Sequence, residues 1–349
     1  MTTDGAAKAD TAFRPRVFLT TLIGVLAIIF IAQLTPLKID VFDDKASSAR
    51  SLLDGLSASD IASLKKLHAE QTVRYSVGLF GNSRILDVSD SDVGKFKDGL
   101  FNFAITGSSI RQTVAFLEAL ADLDKIPRVV VVSLDNFELQ LFANPEYPHP
   151  PMRWKLLLSD LNIALFTPNV ALADRTKIAW RWAHDEWVWF VGLFNVKRLL
   201  NRVTVGTEDR GEARQAAYRI DGSREPPATI RSPDILAPGP RMFIDRVFDA
   251  DLARLSAIGR RGVRIIIYES PLEPRSAEAF KRSPSPFATD LRSRMAQSSD
   301  RMGFEWYPAS GWLDDGRMSW RDSNHPPVPA LGLYIATLIG NAGNNERRE

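Results

Sequence analysis

The chain has 349 residues, enough for one large domain or two small ones. Its 44 Lys and Arg face 42 Asp and Glu, and a formal charge of +2 gives no reason to expect a nucleic-acid partner. There is no cysteine, which excludes disulfides and thiolate zinc sites. That fits an exported protein, and many cytosolic ones. The four histidines, His68, His149, His184 and His325, leave few options for metal or base chemistry.

In chain order, residues 1–12 read as a disordered cytoplasmic tail. Val17 to Leu34 (VFLTTLIGVLAIIFIAQL) carries no charge, and at 1.5 Å per residue it spans about 27 Å, close to the ~30 Å of a bilayer's hydrocarbon core. Lys8, Arg14 and Arg16 precede it, while Asp40, Asp43 and Asp44 accompany Lys38 and Lys45 after it. The positive-inside rule puts the N-terminus in the cytoplasm and the rest outside. We therefore expect a transmembrane anchor over residues 13–36, a single pass through the inner membrane, and a periplasmic or otherwise extracytoplasmic main domain. A cleaved signal peptide is the rival, but its apolar region is usually about 7–15 residues long. A buried core helix is the plainest alternative.

Residues 37–72 read as a helical linker, with Leu52, Leu53, Leu56, Ile61, Leu64 and Leu67 at roughly helical spacing. From residue 73 strands and helices alternate. Strands are expected at Tyr75–Phe80, Leu100–Ile105, Val129–Leu134 and Val263–Tyr268, and helices at Ser109–Leu123, Phe243–Ile258 and Gly332–Gly340. The run VVVVSL is the pattern of a parallel strand covered on both faces. Such alternation predicts an α/β fold, a parallel sheet sandwiched by helices, with chemistry at the carboxyl ends of the strands. The domain extends over 73–340, with a helical and loop insertion at about 139–241 and a disordered tail at 341–349. The insertion holds Trp154, Trp180, Trp182, Trp187 and Trp189. These are read as core, as the lining of a sugar-binding groove, or as an interface with the bilayer or a partner in it. His149 and His184 read as structural.

Two short motifs carry the chemistry. Gly81-Asn82-Ser83 follows the first strand, where a serine on the tight turn exposes its hydroxyl; Asn82-Ser83 also reads as a simple helix cap. Asp322-Ser323-Asn324-His325 places a carboxylate three residues from an imidazole, near enough to bond each other and activate a hydroxyl. Alternatively it is a loop histidine ordered by its neighbour. No His/Asp/Glu spacing suggests zinc or calcium, and no Gly-rich loop has P-loop or dinucleotide spacing.

In this order the motifs resemble the SGNH (GDSL-like) hydrolase superfamily, over about Val73–Gly340 without the insertion. The flavodoxin-like sheet of that superfamily is implied. So are Ser83 as nucleophile, the Gly107 backbone N–H and Asn136 side chain in an oxyanion hole, and Asp322 and His325 as acid and base. The third block departs from the usual Gly-x-Asn-Asp: it reads Ser133-Leu134-Asp135-Asn136. Asp135 at the asparagine's place would repel an oxyanion, and which of Asp135 and Asn136 faces the hole stays open. One transmembrane helix before such a domain is similar to the alginate O-acetylation accessory proteins and the D-alanyl-transfer protein of teichoic acid operons. The resemblance implies a serine esterase or O-acyltransferase without a cofactor, acting on an acylated polysaccharide or acyl donor beside a membrane-bound O-acyltransferase. The alternative is an inactive scaffold of the same fold that binds the polysaccharide or the acyltransferase.

Overall fold

The computed structural model describes residues 15–34, 40–43, 53, 56, 58–94, 96, 99–134, 218–226, 245–282, 286–309, 320, 322 and 325–341. The tryptophan-rich part of the insertion, His149, His184, Asp135 and Asn136 lie outside the described residues.

Five strands form one sheet in the order β2-β1-β3-β4-β5: β1 (Val77–Phe80), β2 (Leu100–Asn102), β3 (Val129–Leu134), β4 (Arg264–Glu269) and β5 (Glu305–Tyr307). Every pairing is parallel, with Val77 opposite Leu100 and Val129, Val129 opposite Arg264, and Ile266 opposite Glu305. The central strands are apolar on both faces: Val130, Val131, Val132, Ile266 and Ile267 are fully buried. Each such side chain contributes about 1.5–3 kcal/mol of burial.

The helices are α1 (Pro15–Leu34), α2 (Ala58–Gln71), α3 (Ser83–Leu86), α4 (Asp90–Val93), α5 (Ile110–Asp122), α6 (Asp245–Gly259), α7 (Pro274–Arg282), α8 (Pro286–Met302) and α9 (Val328–Asn341). Helices α2, α5, α6 and α8 pack side by side in that order, and α9 packs on α4. Right-handed crossovers to either side of β1 place these groups on opposite faces of the sheet. The expected α/β architecture is thus present.

Differences from the expected elements have local causes. The first strand starts at Val77 rather than Tyr75, whose hydroxyl is engaged by His68. The second ends at Asn102 rather than Ile105: the Asn102 Oδ1 accepts from Ala104 N–H, which bends the chain, and Ile105 N–H turns to the Gly81 carbonyl. Helix α5 begins one residue after the expected start because Ser109 caps it, its hydroxyl accepting from Gln112 N–H while Gln112 Oε1 accepts from Ser109 N–H. The last helix begins at Val328, four residues earlier than expected, with Pro329 tolerated in its first turn. Strand β5 and helices α4, α7 and α8 have no counterpart among the elements expected from the sequence.

Helix α1 runs 20 residues, and Leu19, Leu22, Ile23, Val25, Ile28 and Ile31 on it are exposed. Side chains are described there only for 19–28 and 31, and among the described residues no helix is long and apolar enough to cross a membrane.

Candidate active site

The serine turn is built by one glycine and one asparagine. Gly81, at φ +134°, turns the chain as β1 ends, and a Cβ there would come within 2.8 Å of the Ser133 side chain. Asn82 then caps α3, its Oδ1 accepting from Arg84 N–H at 2.9 Å. The cap is therefore Asn82, and the Ser83 hydroxyl is left for another partner.

That partner comes from 242 residues further along the chain. His325 Nε2 is 2.9 Å from Ser83 Oγ. His325 Nδ1 is 2.8 Å from both carboxylate oxygens of Asp322, and Asp322 Oδ1 also accepts from the His325 backbone N–H at 2.9 Å. A carboxylate against Nδ1 holds the proton there, so that Nε2 accepts from the serine hydroxyl. The side chains of His325 and Asp322 are 18% and 30% exposed. From Val77 to Ser89 every residue is buried except Ser83, which is half-exposed. The turn therefore opens at its hydroxyl-bearing residue.

The location agrees with the topology. Successive connections leave β1 in opposite directions, to β2 on one side and past β1 to β3 on the other. In open parallel sheets the crevice for a ligand lies beyond the strand ends at such a reversal. Ser83 follows the C-terminal end of β1 there.

Gly107 lies in the neighbouring turn. Ile105 N–H donates to the Gly81 carbonyl at 3.0 Å, and Ser108 N–H closes the turn on the Ile105 carbonyl at 3.0 Å. Gly107 has φ +71° and is exposed, so the turn after β2 stands beside the serine turn with its backbone open to solvent. The structure thus brings Ser83, Asp322 and His325 together and sets the Gly107 turn next to them. Asn136 falls outside the described residues, as does Asp135.

Several supporting groups had no distinctive signal in the sequence. Asn102 is fully buried at the end of β2; its amide nitrogen lies 2.9, 3.1 and 2.8 Å from the carbonyls of Ile85, Leu86 and Val88. It therefore holds the chain that leaves α3. Residues 218–226 strap the same region. Arg224 pairs with the buried Asp87 through two nitrogens at 2.8 and 3.3 Å, and Arg224 N–H donates to the Leu86 carbonyl. Asp221 Oδ2 accepts from Asp90 N–H at 2.7 Å. Burial raises the Asp90 carboxyl above its ordinary range, and the adjacent Asp221 carboxylate adds to the shift.

Lys65 of α2 is fully buried beneath this strap. Its ammonium donates to the carbonyls of Asn102, Ala104 and Gly222 at 2.7, 2.7 and 2.8 Å. Burial drives its pKa well down, against the opposing pull of Asp221. In the sequence Lys65 is half of a Lys-Lys pair on an amphipathic helix, which normally marks a solvated face. Leu67, expected on the buried stripe, is only half-buried, and His68 takes the inward position.

Beneath the serine, Arg84 is buried and donates to the carbonyls of Ser270 and Pro271 at 3.5 and 3.3 Å, tying α3 to the end of β4. Ser133 and Ser270 hydroxyls bond to each other across β3 and β4. On the other side α9, which continues the chain from His325, is seated at two points. Gly332 lies so close to α4 that a Cβ would come within 2.5 Å of the Asp92 Cβ. Arg264 donates to the Leu338 and Ile339 carbonyls at 3.0 and 2.8 Å while pairing with Glu305 at 2.6 Å. A cation suits those C-terminal carbonyls.

Among the described residues no three His, Asp or Glu side chains gather as a metal site. No family model matches the chain, and comparison with curated proteins and with solved structures gives no match.

Proposed function

We propose that this chain is a serine esterase or O-acyltransferase of the SGNH type, anchored by α1 in the inner membrane. Its domain lies on the extracytoplasmic side and acts on acyl groups of a cell-envelope or exported polysaccharide. The observation that carries this reading is the contact of Ser83 Oγ with His325 Nε2 at 2.9 Å, with Asp322 on the far side of the ring. That Ser83 alone is open in its buried surroundings adds weight. For the anchor, the support is the uncharged run Val17–Leu34, which lies within α1; apart from Thr20 and Thr21, the described side chains there are apolar or glycine, and all are exposed.

The mechanism follows from these groups. His325 Nε2 removes the hydroxyl proton as Ser83 Oγ attacks the carbonyl carbon of an ester or thioester. Asp322 fixes the ring and steadies the imidazolium that forms. The carbonyl electrons move to oxygen, which meets the backbone N–H groups of Ser83 and Gly107; the superfamily's asparagine corresponds to Asp135 or Asn136, and which of the two faces the hole stays open. His325 then returns the proton to the leaving oxygen or sulfur, and an acyl-serine remains. Water resolves it in an esterase; a sugar hydroxyl, deprotonated by the same imidazole, resolves it in a transferase.

The test is turnover of para-nitrophenyl acetate by the full-length protein and by Ser83→Ala. Release of nitrophenolate by the wild type and its loss in the variant are the expected outcome. Equal release by both removes Ser83 as nucleophile and leaves the scaffold alternative standing.

A further inference from the structure

Because all five strands are parallel, the loops that enter them collect at one pole of the domain and Ser83 occupies the other. The entering loops at 72–76, 123–128 and 259–263 carry Arg74, Lys125, Arg128, Arg260 and Arg261 against a single carboxylate, Asp124. All but Lys125 among these five cations are exposed, and Val73 between them is 73% exposed. The loops form one surface: Arg74 donates to the Ile126 carbonyl, Lys125 to the Thr72 carbonyl, and Arg264 N–H to the Arg128 carbonyl. Arg74, Lys125 and Arg260 make these contacts to backbone carbonyls and, for Arg260, to the Ser256 hydroxyl, none of which neutralises a positive charge.

The chain from α1 reaches the domain beside this surface. Asp40 accepts from or pairs with His68 Nδ1 at 2.9 Å, and His68 Nε2 is 2.7 Å from the hydroxyl of Tyr75, a residue of the 72–76 loop. Val41 and Phe42 are fully buried, the Phe42 ring edge-on to Phe101. From Leu34 at the end of α1 to Asp40, six Cα steps reach at most about 21 Å. The entering pole is therefore tethered close to wherever α1 ends.

We propose that this pole rests on the headgroups of an anionic phospholipid bilayer, with Val73 and the five basic residues against it. Ser83 then faces away from the membrane, about 20 Å further out, the rise of a six-residue strand such as β3. This deepens the reading of α1 as an anchor and rests on it. It points to a substrate that reaches the domain from outside, an extended polymer and not a lipid in the supporting leaflet.

The absence of native cysteine makes the test direct. Full-length Val73→Cys and Thr106→Cys proteins, each carrying one fluorophore, are reconstituted in phosphatidylglycerol–phosphatidylcholine vesicles whose headgroups bear a nitroxide quencher. The expected result is several-fold stronger quenching at position 73 than at 106. That contrast falls away in pure phosphatidylcholine and in a background carrying Arg74→Glu, Arg128→Glu and Arg261→Glu. Equal or reversed quenching, or a contrast indifferent to lipid charge, overturns the proposal. Flotation with vesicles in 1 M salt reports the anchor separately. If flotation fails there, a lipid-charge-dependent contrast at low salt still upholds the face, and its absence overturns it.

Discussion

At the C-terminal end of β1, Asp322, His325 and Ser83 form a chain of carboxylate, imidazole and hydroxyl; before its N-terminal end, Asp40, His68 and Tyr75 repeat the same sequence of groups. The hydrogen bonds are nearly equal, 2.8 and 2.9 Å in the first and 2.9 and 2.7 Å in the second. The surroundings are not. His68 is 6% exposed and stacks on Phe101, whose centroid is 4.9 Å away, with Phe42 edge-on at 5.7 Å. Burial pushes the Tyr75 phenol up to about 12, with Asp40 adding to the shift, so the hydroxyl is held protonated. Its oxygen is a fixed hydrogen-bonding group in a packed aromatic cluster. Ser83, in contrast, stands at a turn with solvent on one side and an adjacent turn of open backbone. The lesson is that a relay of bonds does not define a nucleophile; access and a neighbouring oxyanion site must accompany it.

Substitutions separate the two relays. Ser83→Ala should lower acyl turnover by about 10⁴-fold or more and leave unfolding by urea unchanged, since a half-exposed hydroxyl is all that is lost. His68→Ala should do the reverse. Removing a buried ring that joins two partners should cost about 2–4 kcal/mol in the same unfolding experiment, with turnover per folded molecule retained.

Gly332→Ala probes the seat of the first relay. A methyl group driven into Asp92 would displace α9 and with it His325, and a shift of about 1 Å costs up to ~100-fold in kcat. Circular dichroism should change little. If turnover stays at the wild-type level, α9 is not what sets the His325 position.

Tyr75→Phe should have the smallest effect, a loss of about 1 kcal/mol at neutral pH. Its sign with pH is fixed by the raised phenol. The unfolded chain ionises this tyrosine from pH 10.0, whereas the folded one holds the proton until about 12. The stability tied to this difference is complete below pH 10.0 and is lost as pH climbs towards 12. The variant should therefore show a shallower alkaline fall than the wild type, measured by unfolding between pH 9 and 12.

How much of this was legible in the sequence depended on which residues carry the information. The run Val129–Leu134 declares a buried parallel strand, and its ends match the structure because four valines fit nothing else as well. Strand β5 is three half-buried residues at the sheet's edge, and α7 and α8 are rich in Arg and Ser, so no apolar run announces them, and in α8 the stripe is only Phe287, Leu291 and Met295. Ser83, Asp322 and His325 stood out because Gly-x-Ser after a strand and Asp-x-x-His are local patterns. Their meeting is a long-range fact that no window shows. Lys65, Asn102 and Arg224 act through carbonyls and a carboxylate remote in the chain, and Asp40–His68–Tyr75 joins three separate segments. Such contacts have no spacing to read.

The most direct measurement is reaction of the folded full-length protein with a fluorophosphonate, followed by mass spectrometry of its peptides. A phosphonyl adduct on Ser83, lost in Ser83→Ala and strongly slowed in His325→Gln, is the predicted result. An unmodified Ser83, or labelling that persists undiminished in Ser83→Ala, would contradict the account.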